Sequence, residues 1–499
     1  MPVGVKVSEK DMSLYSNSSY ASPCLAVIGT ATKGPIGVPT LCISQRDLRT
    51  KFGLQNPNCL GIYAANYFLA EVNRCYYIRV AKDAVASTVK IPGTTTESTT
   101  VENLLTLEAS SAGTFYDGYS VNILNATPEK FDLIIRNISN NVLSSYKDLT
   151  LNKTSDNYIG KILEGNEYVK LKETAMVEGT TYTVTNGKYT LANGSNGITG
   201  LTSAEYISAM NLVLPDNLDI ELLTTPGVTD PAVIQKGLSI AEQRGDLLYI
   251  IDPPSGLSYE DVIAWHNGTR DDDTHTAFNS SFGAMYWDWV YIYDEINSHE
   301  VLVPPSVVVP AVFARSDNMT QPWYAPAGLT RGLIKNVLRS ATEPDSDMVD
   351  LLYTDPNNVN PIITHPTFGL AVFGQKTLWR QSTSLNRVNV RRLVTYIKHL
   401  VKDISQYLVF EPNDSTTWNS FKDLVNPRLR NIRESRGLYA YKIIRGEDIV
   451  TTDDIDNYRM PAQILIKPTK SAEFIPIDIV ITSTGTDFNE YNSAYASDD

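Results

Sequence analysis

Residues Gly29–Gly37 (GTATKGPIG) follow an apolar run, where a phosphate-binding loop would sit. A Walker-type loop needs Lys directly after its second Gly and then Ser or Thr, so that backbone N–H groups and an ammonium cradle the phosphates. Here Lys33 precedes Gly34 and Pro35 follows it, and proline removes a donor where phosphate would need one. The spacing also misses the dinucleotide G-x-G-x-x-G pattern, so a tight turn is expected. Asp271, Asp272 and Asp273 lie between His266 and His275. They fit neither EF-hand nor HExxH spacing, and a solvated acidic loop is expected. There is no G-x-S-x-G elbow, and the five histidines offer no nucleophile–base pairing. Cys24, Cys42, Cys59 and Cys75 are 16 to 18 residues apart with no CxxC, which reads as reduced, buried thiols of a protein made in a cytosol. No catalytic, cofactor-binding or metal-ligating residue is assigned, and the expectation is a protein that is not an enzyme and uses no cofactor.

The elements around these residues are easier to place. Cys24–Gly29 (CLAVIG), Leu41–Ser44 and Tyr76–Ala81 read as buried strands, with a helix over Gly61–Val72; strands alternating with a helix indicate an α/β unit. From about residue 86 the chain turns rich in Thr, Ser, Asn and Gly, with short strands at SVNILNA, FDLIIRN, YVKLK and TYTVTN. Helices are expected over Ala204–Leu212, Pro231–Arg244 and Tyr259–His266, and strands at DLLYIIDPP, AMYWDWVYIYD and PSVVVPAVFARSD. In the last third, Arg387–Tyr407 is an amphipathic helix with an apolar stripe through Val390, Leu393, Val394, Ile397, Leu400, Val401 and Ile404. A second helix over Thr417–Arg436 is expected to be interrupted near Pro427, with strands at LYAYKII and QILIK after it. The fold class is therefore α/β (α+β) and multidomain. An N-terminal arm (1–20) precedes the first part of an α/β core (21–85), into which a mostly-β domain (86–225) is inserted. The core resumes over 226–365, followed by an α+β assembly domain (366–470) and a C-terminal strand and arm (471–499).

Acids outnumber bases 56 to 42 over 499 residues, giving −14. That argues against nucleic acid as a direct partner. The longest apolar runs, such as Leu247–Ile251, fall far short of the roughly 20 residues a spanning helix needs, and the first residues lack the apolar stretch of a Sec-type signal. The charge is uneven: Gln375–Arg445 holds 14 Lys and Arg against 5 Asp and Glu, hence +9, leaving −23 elsewhere. Arg391, Arg392, Lys398, Lys402, Arg428, Arg430 and Arg433 are candidates for a basic surface facing an acidic partner or a neighbouring copy. Two strands stand out at the ends of the chain. Val3, Val5 and Val7 alternate, and so do Ile475, Ile477, Ile479 and Ile481, with Pro476 on the opposite phase. Proline cannot donate to a ladder, so the second is an edge strand, either an ordinary edge of its own domain or one that pairs with another chain.

The stretches AVIGTATKGPIGVPTLCIS, ELLTTPG, LLYIIDPP, VPPSVVVPAVFARSD with PWYAPAG, FGQKTLW, NVRRLVTYI, VFEPN and AEFIPIDI together resemble the contractile tail sheath proteins of phages and related injection systems. Residues 126–192 carry none of this likeness. The resemblance implies a structural subunit that polymerises as stacked hexameric rings around a tail tube. It would be metastable when extended and would contract, without nucleotide hydrolysis, to drive the tube through a host envelope. The implied partners are further copies of the chain, the tube protein, and baseplate and terminator proteins. The implied place is the virion tail, assembled in the host cytoplasm. Under this reading Val3–Val7 and Ile475–Ile481 become strands donated to neighbours, the basic residues face the tube, the β insertion faces outward, and residues 16–22 and 482–487 act as hinges. The alternatives from other classes are a static envelope or surface-layer polymer and an α/β enzyme with an inserted domain.

Overall fold

The computed structural model describes residues 23–475 except 98, 178, 216–217, 272–273, 445–448 and 474. Its body is an eight-stranded sheet. In chain order the elements of this body begin with β1 (Leu25–Gly29), β2 (Thr40–Cys42), α1 (Gln45–Phe52), α2 (Leu60–Leu69) and β3 (Cys75–Arg79). After the insertion come β4 (Leu222–Thr224), α3 (Pro231–Arg244), β5 (Leu248–Ile251), α4 (Tyr259–Asn267) and β6 (Gly283–Trp287). Then follow α5 (Pro305–Met319), α6 (Ser346–Tyr353), β7 (Val359–His365) and β8 (Gly369–Val372). The strand order is β8-β7-β6-β5-β4-β1-β3-β2, parallel except at the two outermost strands.

Parallel strands covered on both faces need apolar side chains at every position, and these strands supply them. Leu25 and Val27 of β1 enter one core while Ala26 and Ile28 enter the other. The same alternation puts Leu248 and Ile250 of β5 on one side and Tyr249 and Ile251 on the other. Helices α2 and α5 cover the first face, and α3 and α4 the second. Local signals set the helix ends. Asp230 caps α3 by accepting from the Ala232 N–H at 2.8 Å, Pro231 fits its first turn, and Gly245 closes it at φ +68, a conformation glycine adopts freely.

Three expectations are corrected. Residues 305–317 are not a strand but the greater part of α5. Its valines favour strands, but the helix is buried almost all round, so it carries no amphipathic period to read. AMYWDWVYIYD is two strands rather than one. Gly283–Trp287 belongs to the large sheet, while Val290–Asp294 turns away to pair with His299–Val303 and Arg339–Ser340. The helix over Ser415–Glu434 runs through Pro427 uninterrupted. Phe421, Val425 and Leu429 sit four residues apart on one buried stripe spanning the proline, and their packing outweighs one lost ladder bond.

Between β3 and β4 lie two four-stranded antiparallel sheets. One holds Thr88–Thr95, Thr100–Ala109, Val169–Thr174 and Tyr182–Val184, and the other Ser120–Leu124, Phe131–Arg136, Val142–Leu149 and Gly187–Thr190. They share a separate core that includes Leu105, Leu107, Ile123 and Leu133. The seam with the body is polar. The fully buried Arg79 guanidinium donates to the Gly34 and Ala112 carbonyls at 2.8 and 2.7 Å and to that of Asn196 at 3.4 Å. The Lys33 ammonium lies 3.9 Å from the Phe115 ring centre, and burial lowers its pKa to about 8. The tight turn expected at Gly29–Gly37 is thus part of this seam.

Asp252, in the turn after β5, accepts from Gly227 N at 3.0 Å, Ser306 N at 2.9 Å and Ser306 Oγ at 2.5 Å, tying the start of α5 to the sheet. Burial raises its pKa to about 6, against the opposing pull of those donors. The unfolded value is about 3.9, so the folded chain holds more proton between the two values. This group's contribution to stability is complete below about pH 4 and is lost as pH rises through about 6. Asp252→Asn should flatten the fall in stability between those pH values, measured by urea denaturation at each pH. An unchanged slope would contradict the assignment.

Candidate functional site

The last part of the described chain forms a unit with its own small core. It comprises α7 (Val388–Gln406), α8 (Ser415–Glu434), β9 (Leu438–Ile444) and β10 (Gln463–Pro468). Leu393 and Ile397 of α7 meet Phe421, Val425, Leu429 and Ile432 of α8, with Ile464 and Ile466 of β10 packed against them. The first turn of α7 reaches the other way, burying Val388 in the core beneath the large sheet. One helix therefore belongs to both cores.

Buried arginines fasten that helix to the body. Arg392 is 5% exposed and grips Asp317 of α5 with both guanidinium nitrogens, Nη1 to Oδ1 at 2.8 Å. Burial pushes the Asp317 carboxyl up, with Arg392 opposing the shift. Arg391 is 4% exposed; its guanidinium lies 3.9 Å from the Phe282 ring centre and donates to Ser281 Oγ. Burial lowers the Arg391 pKa to about 10. These two residues therefore do not belong to an exposed basic surface, as the sequence had suggested. They lie off the apolar stripe of α7, as its periodicity requires, but the face they occupy is covered by the body. Of the remaining candidates, Lys398, Lys402, Arg430 and Arg433 are exposed and Arg428 is half-buried. Lys398 still reaches the body, donating to the Gly245 carbonyl at 3.1 Å.

The segment after β10 is also fastened. Thr469 N donates to the Gly437 carbonyl at 3.1 Å. Glu473 accepts from Arg387 Nε and Nη2 at 2.7 and 2.8 Å and from Gln375 Nε2 at 2.9 Å. This segment walls a cavity of about 450 Å³ together with Trp323, Tyr353 and Phe373. Ile475, two residues beyond Glu473, is 74% exposed. Val3, Val5, Val7, Ile477, Ile479 and Ile481 lie outside the described residues. No sequence pattern marks Glu473, a single acid whose arginine partner is 86 residues away.

β9 and β10 pair antiparallel as a two-stranded sheet. Tyr441, Ile443, Ile464 and Ile466 face the small core, while Tyr439 (65% exposed) and Leu465 (47%) face out. Among the described residues, the outer edge of each strand pairs with nothing further. An isolated hairpin is marginal by itself, and its free edges are templates for strand addition.

Residues 380–482 match the family model of the phage tail sheath C-terminal domain. The chain is 28% identical over 348 residues to the tail sheath protein of Vibrio phage KVP40, a match covering 65% of this chain and 50% of that protein. It is 27% identical over 342 residues to that of Enterobacteria phage T4, covering 65% and 51%. The chain is similar to contractile tail sheath proteins. It spans about half the length of these curated relatives. The fold agrees with solved structures. A sheath tail protein from Desulfitobacterium hafniense superposes with a TM-score of 0.63 at 12% identity, over 94% of this chain and all of that one. A sheath protein from a contractile injection system, solved in the contracted state, gives 0.57 at 16% identity over 98% and 99%. The matched C-terminal segment includes both fastening arginines and the open hairpin.

Removing one partner of a buried ion pair leaves an uncompensated charge, at a cost of about 3–5 kcal/mol, whereas replacing both by apolar groups is often neutral. Arg392→Met alone should destabilise the chain by that order. Arg392→Met with Asp317→Leu should recover most of the loss in chemical denaturation. A double variant as unstable as the single one would show that the pair does not act as a unit.

Proposed function

We propose that this chain is a structural subunit of a contractile sheath, acting without catalysis or nucleotide hydrolysis. Copies polymerise as stacked hexameric rings around a tail tube, metastable when extended, and contraction drives the tube through a host envelope. The energy is the difference between two packings of the same subunits. The subunit works in the tail of a virion or of a phage-derived injector after assembly in the host cytoplasm, with baseplate and terminator proteins at the ends of the sleeve. Related proteins support the self-assembly and baseplate association: matching solved chains come from a contracted helical sheath and from a baseplate of the anti-feeding prophage.

The observation that carries this reading is the open hairpin β9–β10, held rigidly by α7 and followed by a fastened segment that ends beside an exposed Ile475. Residues 3–7 and 475–481 of neighbouring copies would extend that hairpin. Backbone ladders would keep the lattice linked while other contacts slide, with residues 16–22 and 482–487 absorbing the rotation. The inserted β unit would face outward, and exposed Lys402, Arg430 and Arg433 would face the tube or a neighbour.

Deleting residues 476–499 should leave a folded chain, with an unchanged circular dichroism spectrum, that forms no long sleeves in negative-stain microscopy. Sleeves of normal length would contradict the strand-donation reading. Arg430→Glu with Arg433→Glu should weaken co-assembly with the tube protein, most at low ionic strength, because exposed charges are screened within about 8 Å at physiological salt. Equal loss at all salt concentrations would contradict the electrostatic contribution.

A further inference from the structure

The two ends of the large sheet differ in charge and share an apolar character. At one end lies β2. Its outward backbone is already satisfied within the subunit: Lys51 Nζ donates to the Leu41 carbonyl at 2.7 Å, and Ile43 N donates to Asp47 Oδ2 at 3.1 Å. This edge is therefore blunted against strand addition. Its apolar side chains are not covered: Val38 is 50% exposed and Ile43 59%, with Ile36 and Leu41 beside them. Helix α1 adds exposed Arg46 and Arg49 to the same end, and its one acid, Asp47, is occupied by Lys51 at 2.8 Å.

At the other end lie α6 and the β7–β8 hairpin. Glu343, Asp345, Asp347 and Asp350 are exposed there, with no Lys or Arg between residues 343 and 350. Leu351, Phe368 and Phe373 are about half exposed. Val349 and Asp350 of α6 line one cavity with Phe373, and Arg331, Arg436 and Lys470 line its farther wall, so the acidic character belongs to α6 and the residues just before it. Eight strands at about 4.8 Å spacing put the two ends roughly 34 Å apart, on opposite sides of the subunit.

We infer that these two ends are complementary halves of one contact between successive copies of this chain, with β2 and α1 of one copy against α6 and the β7–β8 hairpin of the next. The inference rests on the proposed polymerisation and adds a lateral surface distinct from the terminal strands. Opposite charge says what covers each apolar face: a basic apolar patch and an acidic apolar patch on one chain fit each other and not themselves. A contact between two different patches is heterologous and propagates by rotation into a ring or helix. Because it is made by side chains and not by a backbone ladder, it can break and re-form when subunits rotate.

The test uses the full chain with surface reversals that leave packing intact. Arg46→Glu with Arg49→Glu should reduce sedimentable polymer at low salt by about tenfold or more, since like charges brought together cost several kcal/mol. Asp347→Arg with Asp350→Arg should do the same. A chain carrying all four substitutions restores opposite charge between positions 46 and 49 on one copy and 347 and 350 on the next, and should polymerise clearly better than either double variant. Thermal melting of all three should match the parent. If the fourfold variant polymerises no better than either double variant, or if the double variants polymerise normally, the inference is wrong. Normal polymer from the charge variants, together with loss on deleting 476–499, overturns the sheet-end contact alone. A parent chain that never polymerises overturns the assembly reading and this one with it.

Discussion

The Arg392–Asp317 pair decides how the C-terminal unit is held. That unit's core is joined to the body through Val388 of α7 and through Trp323, but apolar contacts alone specify no single orientation. A desolvated charge pair does, because separating it would strand both charges away from water. Arg391 against Phe282 and Ser281, and Arg387 against Glu473, extend the same seam to either side. The result is a helix whose first turn is buried under the sheet and whose later turns carry the hairpin.

The rest of the molecule repeats this arrangement. The β insertion also has its own core and meets the body through a buried cation, Arg79, which gathers backbone carbonyls from both sides of the seam. Carbonyls and carboxylates specify a direction, whereas apolar surfaces slide. Under the proposed function, a subunit that changes neighbours without changing its own shape would be well served by directional internal seams and by external contacts that depend on ladders, charge and exposed side chains.

Much of the fold was legible in the sequence, for identifiable reasons. The parallel strands are short apolar runs bounded by turns, and α3 is written out by Asp230, Pro231 and Gly245. α5 was not legible, because a helix buried on all sides has no polar face to set its period. The strand Thr88–Thr95 was not read from the sequence: Pro92 and Gly93 sit at an irregularity in its ladder and break the alternation. For the candidate site, the amphipathic stripe of α7 and the two hairpin strands were found from pattern. The role of Arg391 and Arg392 was not, since a helical wheel shows one covered face and α7 has two. Glu473 and Asp317 are isolated acids whose importance comes entirely from distant partners.

The most direct test of the central claim is a cryo-EM structure of the assembled sleeve in its extended and contracted states. The account predicts that α7 and the body superpose as one rigid unit in both, with Arg392 on Asp317, and that β9–β10 is flanked by strands from neighbouring copies throughout. A C-terminal unit that swings on α7 between the states, or a hairpin whose outer edges stay unpaired in the sleeve, would contradict it.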